Sequence, residues 1–411
     1  MVTSTPLQTL KNKEFKNLLV GRFFLVLAFR MLGTLLGWWV YQLTKDPFAI
    51  ALIGLSEVVP AVISAIYAGY VIDTSEKKKL LLICNAAYVF LISLLLIPAF
   101  GHGKLGFSNR EITYFIYGTI FFTGIARAFL GPLIPSLIPK IVSKENLPNA
   151  ITLNQGTFLT ASVGGHALGG YLIGLISIKW TLVVVVSLMA LGFILFQSLS
   201  KQEPEEQNEI LDVRKSIYEG FQYIYKTKEI FGAQMLDMFA VLFGGAVALI
   251  PVFAVDVLQV SETKFGILNA ASDIGSAIII ITLSVLPLKK NQGKILLAVV
   301  VGFGLCIIGF GLSKWYWLSF VFLMLSGMLD GISVVIRGTI VQLKTPDHLR
   351  GRVLSVNSIF IMSSNEMGQF ESGTMAKLLG PVKAVVVGGS LTLLVALIVG
   401  SSNKKLRNMQ Y

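Results

Sequence analysis

The feature that most restricts this chain is a succession of apolar runs, each long enough to cross a bilayer, separated by short polar loops. About 20 apolar residues suffice to span the hydrocarbon core as a helix, and a helix satisfies its own backbone groups where no water can. Twelve runs can be counted, approximately 17–43, 48–72, 80–100, 112–138, 150–176, 180–199, 230–255, 265–288, 295–312, 315–343, 353–379 and 384–401. The pattern predicts an all-α membrane protein with twelve transmembrane helices, called spans 1 to 12 below.

Composition removes the alternatives. With 411 residues, 54% hydrophobic and 14% charged, the chain is too apolar for soluble domains. Residues 1–16 are polar, with Lys11, Lys13 and Lys16 just before span 1, so that span is expected to stay as an anchor. The net charge of +12 does not point to nucleic acid, because the positives sit in short loops rather than on one amphipathic face. Most Lys and Arg fall on the side that holds both termini, and the positive-inside rule makes that side cytoplasmic. Cys84 and Cys306 lie in apolar runs without CxxC spacing, and His102, His166 and His348 are scattered, so no disulfide, metal site or cofactor is expected.

One long polar segment, 200–229, separates spans 6 and 7. Within it Ile210, Val213, Ile217, Phe221 and Ile224 recur at helical spacing, the pattern of an amphipathic helix on the cytoplasmic interface, read first as a structural linker. The expected domains are therefore 1–199, a linker at 200–229, and 230–411.

Two stretches, Gly124 to Asn154 and Gly327 to Asn357, run in step without a gap. Each begins in an apolar run, leaves through a basic loop and enters the next run. Arg127 and Asp330 hold the same place in the two copies, and only the first Gly and the last Asn are identical. A doubled membrane-embedded half with ionisable residues at matching depth is what a pseudosymmetric transporter requires.

A charge deep in a membrane helix costs about 2.5 to 3.5 kcal/mol on insertion scales and normally faces a cavity or a partner. Span 1 carries Arg22 and Arg30, span 2 Glu57, span 4 Arg127, span 5 His166, span 7 Asp237, span 8 Asp273, span 10 Asp330 and Arg337, and span 11 Glu366 and Glu371. Spans 3, 6, 9 and 12 carry none. Depth alone suggests that Glu57 pairs with Arg30. Arg127 and Asp330, at equal depth with opposite charge, are expected either to meet or to hold separate ends of a substrate.

That period of three resembles the plan of the major facilitator superfamily. The resemblance implies two six-helix halves in which spans 1, 4, 7 and 10 line a cavity, spans 2, 5, 8 and 11 join the halves, and the rest lie outside. Gly69-Tyr-Val-Ile-Asp73-Thr-Ser-Glu-Lys77-Lys78-Lys79 resembles the family's cytoplasmic loop signature, with Thr74 and Glu76 departing from it. Asp73 would then latch the halves, or else it is an N-cap for span 3 beside positive-inside lysines. Arg127-Ala-Phe-Leu-Gly131 resembles the Arg-x-x-x-Gly motif, whose Gly permits close packing. Gly164-Gly165-His166-Ala-Leu-Gly169-Gly170 resembles the span 5 motif of antiporters with His166 in place of Pro, and Gly368 and Gly373 are its partial counterpart. His166 is either a packing residue or a proton carrier. Segments after spans 4 and 10, including Arg350-Gly-Arg352, and on span 11 resemble the enterobactin-exporter and macrolide-efflux branch; Arg350 and Arg352 either belong to that motif or are positive-inside charge alone.

The resemblance implies a proton-coupled exporter, an antiporter of an amphipathic or anionic organic compound such as a siderophore or drug, in the inner membrane. Arg22, Arg30, Arg127 and Asp330 are the expected cavity residues; Glu57, Asp237, Asp273, Glu366, Glu371 and His166 are the candidates for proton coupling. The expected partners are a small molecule, protons and lipid, with the chain acting as a monomer. Uptake by the same fold is the alternative, and a receptor or scaffold a weaker one. The absence of Gly-x-Ser-x-Gly, His-Glu-x-x-His and Walker-type motifs argues against an enzyme and against ATP as the energy source.

Overall fold

The computed structural model describes residues 9–101, 106–201, 213–286, 288, 290–346 and 349–410. Among them every regular element is helical: α1 Lys13–Thr44, α2 Pro47–Thr74, α3 Lys77–Leu94, α4 Leu96–Gly101, α5 Asn109–Ile141, α6 Leu147–Gln197, α7 Val213–Lys226, α8 Lys228–Phe243, α9 Glu262–Val285, α10 Gln292–Leu312, α11 Tyr316–Lys344, α12 Arg350–Leu379, α13 Pro381–Ser402 and α14 Lys404–Arg407. Ten helical stretches among the described residues are long and apolar enough to cross a membrane. Two departures from the apolar-run count have local causes. The 51-residue α6 is broken at Ser177, whose φ of 71° and ψ of 167° are not helical. α12 is 30 residues long but carries enough polar residues to fall below that apolarity.

The chain forms two compact units, Met1–Thr44 with Ser56–Ile210, and Lys45–Leu55 with Leu211–Tyr411. In the first, the most extensive contact is between α1 and α6. Glycine makes it possible: a Cβ on Gly165 would lie 2.7 Å from the Leu27 carbonyl oxygen, and one on Gly169 would lie 3.2 Å from the Met31 Cα. Small residues at this spacing let backbones touch, which drives helix association where water contributes nothing. The pair is tied at its polar end by Asn17 Nδ2 donating to Ser198 Oγ (2.7 Å) and the Ser200 amide donating to Glu14 Oε1 (2.7 Å).

The second unit repeats the device. α9 and α11 cross at glycines, where Gly275 meets the Met324 carbonyl and Gly327 the Ser272 carbonyl, and Ser276 Oγ donates to the Gly327 carbonyl at 2.9 Å. The apolar run expected at 230–255 is interrupted: α8 stops at Gly244–Gly245, and a 3-10 turn at Ala246–Leu249 and a π turn at Phe253–Val257 follow. The break has a packing reason. A Cβ on Gly245 would fall 2.8 Å from the Gly368 carbonyl, so an uninterrupted side-chain-bearing helix could not come this close to α12. Residues 45–55 also pack on α12, through Lys377 Nζ to Asp46 Oδ2 (2.8 Å) and the Phe48 and Phe370 rings (5.7 Å).

The polar segment yields α7, of which Ile224 is buried and the Phe221 ring packs, tilted, 5.4 Å from that of Phe360 on α12. Gly220 sits against the Arg352 carbonyl, Glu219 pairs with Arg352, and Tyr223 Oη donates to the Lys344 carbonyl. Ile210 and the side chains of Val213 and Ile217 lie outside the described residues.

Candidate functional site

In the first unit the ionisable residues form two groups. Glu57 on α2 pairs with Arg127 on α5 at 2.5 Å, and Tyr88 Oη on α3 donates to Glu57 Oε1 at 3.4 Å. Glu57 therefore does not pair with Arg30. Depth along a helix does not fix which face a residue occupies, and here Gly124 does: its missing Cβ brings α5 onto the Glu57 carbonyl and Pro60. Arg127, one turn further along, is then beside the Glu57 carboxylate.

The second group is Arg22 and Arg30 on α1 with Phe158 on α6. Their guanidinium carbons lie 5.7 and 5.6 Å from the Phe158 ring centroid, and Arg22 Nη1 donates to Asn154 Oδ1. No ion pair joins either arginine to a carboxylate among the described residues. His166, two turns from Phe158, shares a hydrogen bond of 2.8 Å with Oγ1 of Thr34, one turn from Arg30. Gly170 is buried beside Gly169.

In the second unit Arg337 on α11 bonds Asp237 on α8 through Nη1, lies 3.6 Å from Asp330 Oδ1 through Nη2, and donates from Nε to the Ser333 carbonyl at 3.3 Å. The Arg337 and Asp237 side chains are 9% and 7% exposed and that of Asp330 is 42% exposed. A cleft beside them is lined by Asp237, Ala240, Phe303, Leu329, Asp330 and Ser333. If all three groups are ionised, one guanidinium faces two carboxylates, and a net negative charge remains in a low-dielectric setting. Arg127 and Asp330 thus each have an oppositely charged partner within their own unit.

The other expected residues are spread more widely. Glu366 is buried on α12, accepts from Gln369 Nε2 at 2.9 Å, and leaves room for no side chain at Gly54. Glu371 accepts from Ser372 Oγ at 3.4 Å, and Asp273 lies half-buried on α9 beside the Gly327 crossing. Arg352 holds α7, as described; Arg350 opens α12. Lys77 is buried and Lys78 half-buried at the start of α3, whose N-cap is Glu76 and not Asp73, which falls within α2. Gly69 falls within α2, and the side chain of Asp73 lies outside the described residues.

Gly131 does not serve close packing, since nothing lies within 4 Å of where its Cβ would be. It precedes Pro132 inside α5, and a residue before proline is pushed out of the helical region by its own Cβ. Glycine there relieves that clash, although α5 also passes Ile134-Pro135 and Ile138-Pro139 without it.

Two participants escape a reading by motif. Phe158 is one apolar residue among many, and only the structure sets it between two arginines. Gln234, which donates to Asn357 Oδ1, is a polar residue without charge; its position one turn before Asp237 was the available signal. Among the described residues no cluster of three or more His, Cys, Asp or Glu could hold a metal ion.

Comparison with known proteins follows the same lines. The enterobactin exporter EntS of Shigella dysenteriae is 22% identical over 396 residues, covering 93% of this chain and 90% of the relative. That of Citrobacter koseri is 23% identical over 401 residues with the same coverage. Among solved structures, a POT family transporter in complex with 5-aminolevulinic acid superposes with a TM-score of 0.73 at 11% identity, covering 95% of this chain and 96% of the other. The D-xylose-proton symporter gives 0.70 at 12% identity, covering 98% of each. These structures share the fold. Residues 18–368 match the Major Facilitator Superfamily, so the chain belongs to that family and is a multi-pass membrane transporter of the secondary-active kind, not an enzyme.

Proposed function

We propose that the protein is a proton-coupled exporter of an anionic or amphipathic organic compound. The observation that carries this reading is the division of charge. In the second unit Arg337 faces both Asp237 and Asp330 beside a cleft, leaving a negative charge that a proton can neutralise. In the first, Arg22 and Arg30 have no carboxylate partner among the described residues and suit an anionic cargo.

The supporting architecture is twelve membrane-crossing helices in two six-helix halves. Ten stretches qualify by length and apolarity; the break at Ser177 makes two helices of α6, and α12 is the remaining one. In this reading the halves are 1–199 and 230–411, the linker at 200–229 and both termini are cytoplasmic, and the chain works as a monomer in the inner membrane. Export is favoured by the two relatives named as enterobactin exporters and by the close α1–α6 crossing at Gly165 and Gly169.

Inside-out vesicles containing the protein test the reading. With enterobactin as the first compound, acidifying the lumen is expected to drive its accumulation, and a protonophore to stop it. Accumulation that ignores the gradient, or that needs the gradient reversed, rules out a proton-driven exporter.

A further inference from the structure

The arrangement around Phe158 says more about the cargo than its sign. Arg22 and Arg30 are eight positions apart on α1, about 12 Å along the axis, yet both guanidiniums reach the same ring. Each guanidinium has five N–H donors and no acceptor function. Among the described residues the Asn154 amide oxygen is bonded to Arg22, and no side chain or carbonyl accepts from Arg30. The other two intramembrane arginines are matched with carboxylates, Arg127 with Glu57 and Arg337 with Asp237 and Asp330. Two like charges thus share one aromatic ring with no counter-charge among the described residues, in a membrane segment where each is expensive. The ring's π face offsets part of that repulsion, and most of the donors remain for something that is not protein.

We infer that Arg22, Phe158 and Arg30 form a two-point clamp for organic anions that carry two acidic groups, one for each guanidinium, separated by a flat apolar body that lies against Phe158. A planar guanidinium recognises a carboxylate or a similar oxyanion through paired hydrogen bonds, which gives each end geometric selectivity as well as charge. A compound with one acidic group leaves the second arginine as it is in the empty protein. The clamp deepens the exporter reading, on which it rests for the direction of movement but not for binding.

Binding to the purified full-length protein tests it with three probes: terephthalate, with two carboxylates across a ring; benzoate, with one; and adipate, with two and no ring. Terephthalate is expected to bind on the order of tenfold more tightly than benzoate. Arg22→Gln and Arg30→Gln should each erase that margin, and Arg30→Lys should keep part of it. Phe158→Leu should bring terephthalate down to adipate while leaving adipate unchanged. The melting temperature of each variant without ligand separates misfolding from lost recognition. Terephthalate binding no better than benzoate, or a margin that survives both glutamine variants in folded protein, overturns the clamp. Binding that follows the expected pattern without proton-driven accumulation in vesicles overturns the exporter reading and leaves the clamp standing. Proton-driven transport of compounds that terephthalate neither competes with nor resembles in charge does the reverse.

Discussion

Gly124 and Gly327 meet the same obstacle: where each would carry a Cβ stands a backbone carbonyl oxygen of a neighbouring helix, that of Glu57 in the first unit and of Ser272 in the second. The two glycines open the two copies of the internal repeat. The residue that closes each copy behaves alike, since Asn154 accepts from Arg22 on α1 and Asn357 accepts from Gln234 on α8. The two positions identical in both copies are the ones that make equivalent contacts in both units.

Adding a methyl group at either glycine should therefore separate a helix pair. Gly124→Ala and Gly327→Ala are each expected to cost about 1 to 3 kcal/mol, the range for overpacking, because the obstacle is backbone and cannot change rotamer. Gly338→Ala, where nothing lies within 4 Å, is the control and should be neutral or slightly stabilising. Thermal unfolding in detergent reads all three; equal melting temperatures would show that the crossings carry no energy.

The pair Arg127–Glu57 has a smaller expected worth. Arg127 is 46% exposed; with that face on a water-filled cavity, the pair is screened and a coupling of about 1 kcal/mol is expected. A double-mutant cycle with Glu57→Gln and Arg127→Gln measures it directly. Additive losses would mean that the two charges act independently.

For Arg337 the geometry predicts an order of damage. Arg337→Gln leaves Asp237 and Asp330 without their cation and should be the worst, at about 3 to 5 kcal/mol. Asp237→Asn removes the buried partner and should destabilise more than Asp330→Asn, whose side chain is 42% exposed. In transport, at least one of the two aspartate variants should still exchange substrate across a membrane while no longer concentrating it against a pH gradient. If both variants concentrate substrate as the parent does, the proton is carried elsewhere.

The helices were legible because a membrane leaves so little freedom: runs of apolar residues long enough to span became helices with ends within a few residues, from Lys13–Thr44 to Pro381–Ser402. The interruption after Phe243 was not, since Gly244 and Gly245 read as two more small apolar residues until the α12 backbone is seen against them. Pairing was legible only in part. Sorting charges by span picks out every member of both ion-pair groups, but depth along an axis says nothing about rotation around it, and depth alone pairs Glu57 with Arg30 where the structure has Arg127. Gly124 contained the missing information. A glycine followed one turn later by an arginine marks the face that touches a neighbour, and thereby the carboxylate that arginine can reach.

The glycine crossings also bear on motion. Side chains that interlock must exchange rotamers before one helix can move along another, whereas Gly165 and Gly169 present the α6 backbone to the Leu27 and Met31 backbone and the Cβ atoms of Arg30 and Thr34, with no long side chain of α6 between. Such a contact works like a plain bearing. Small displacements along the axis change which carbonyl each glycine faces without repacking large side chains there, so shear of this pair has only polar ties such as Arg22–Asn154 and Thr34–His166 to exchange, while Arg22 and Arg30 travel with their helix as a rigid set.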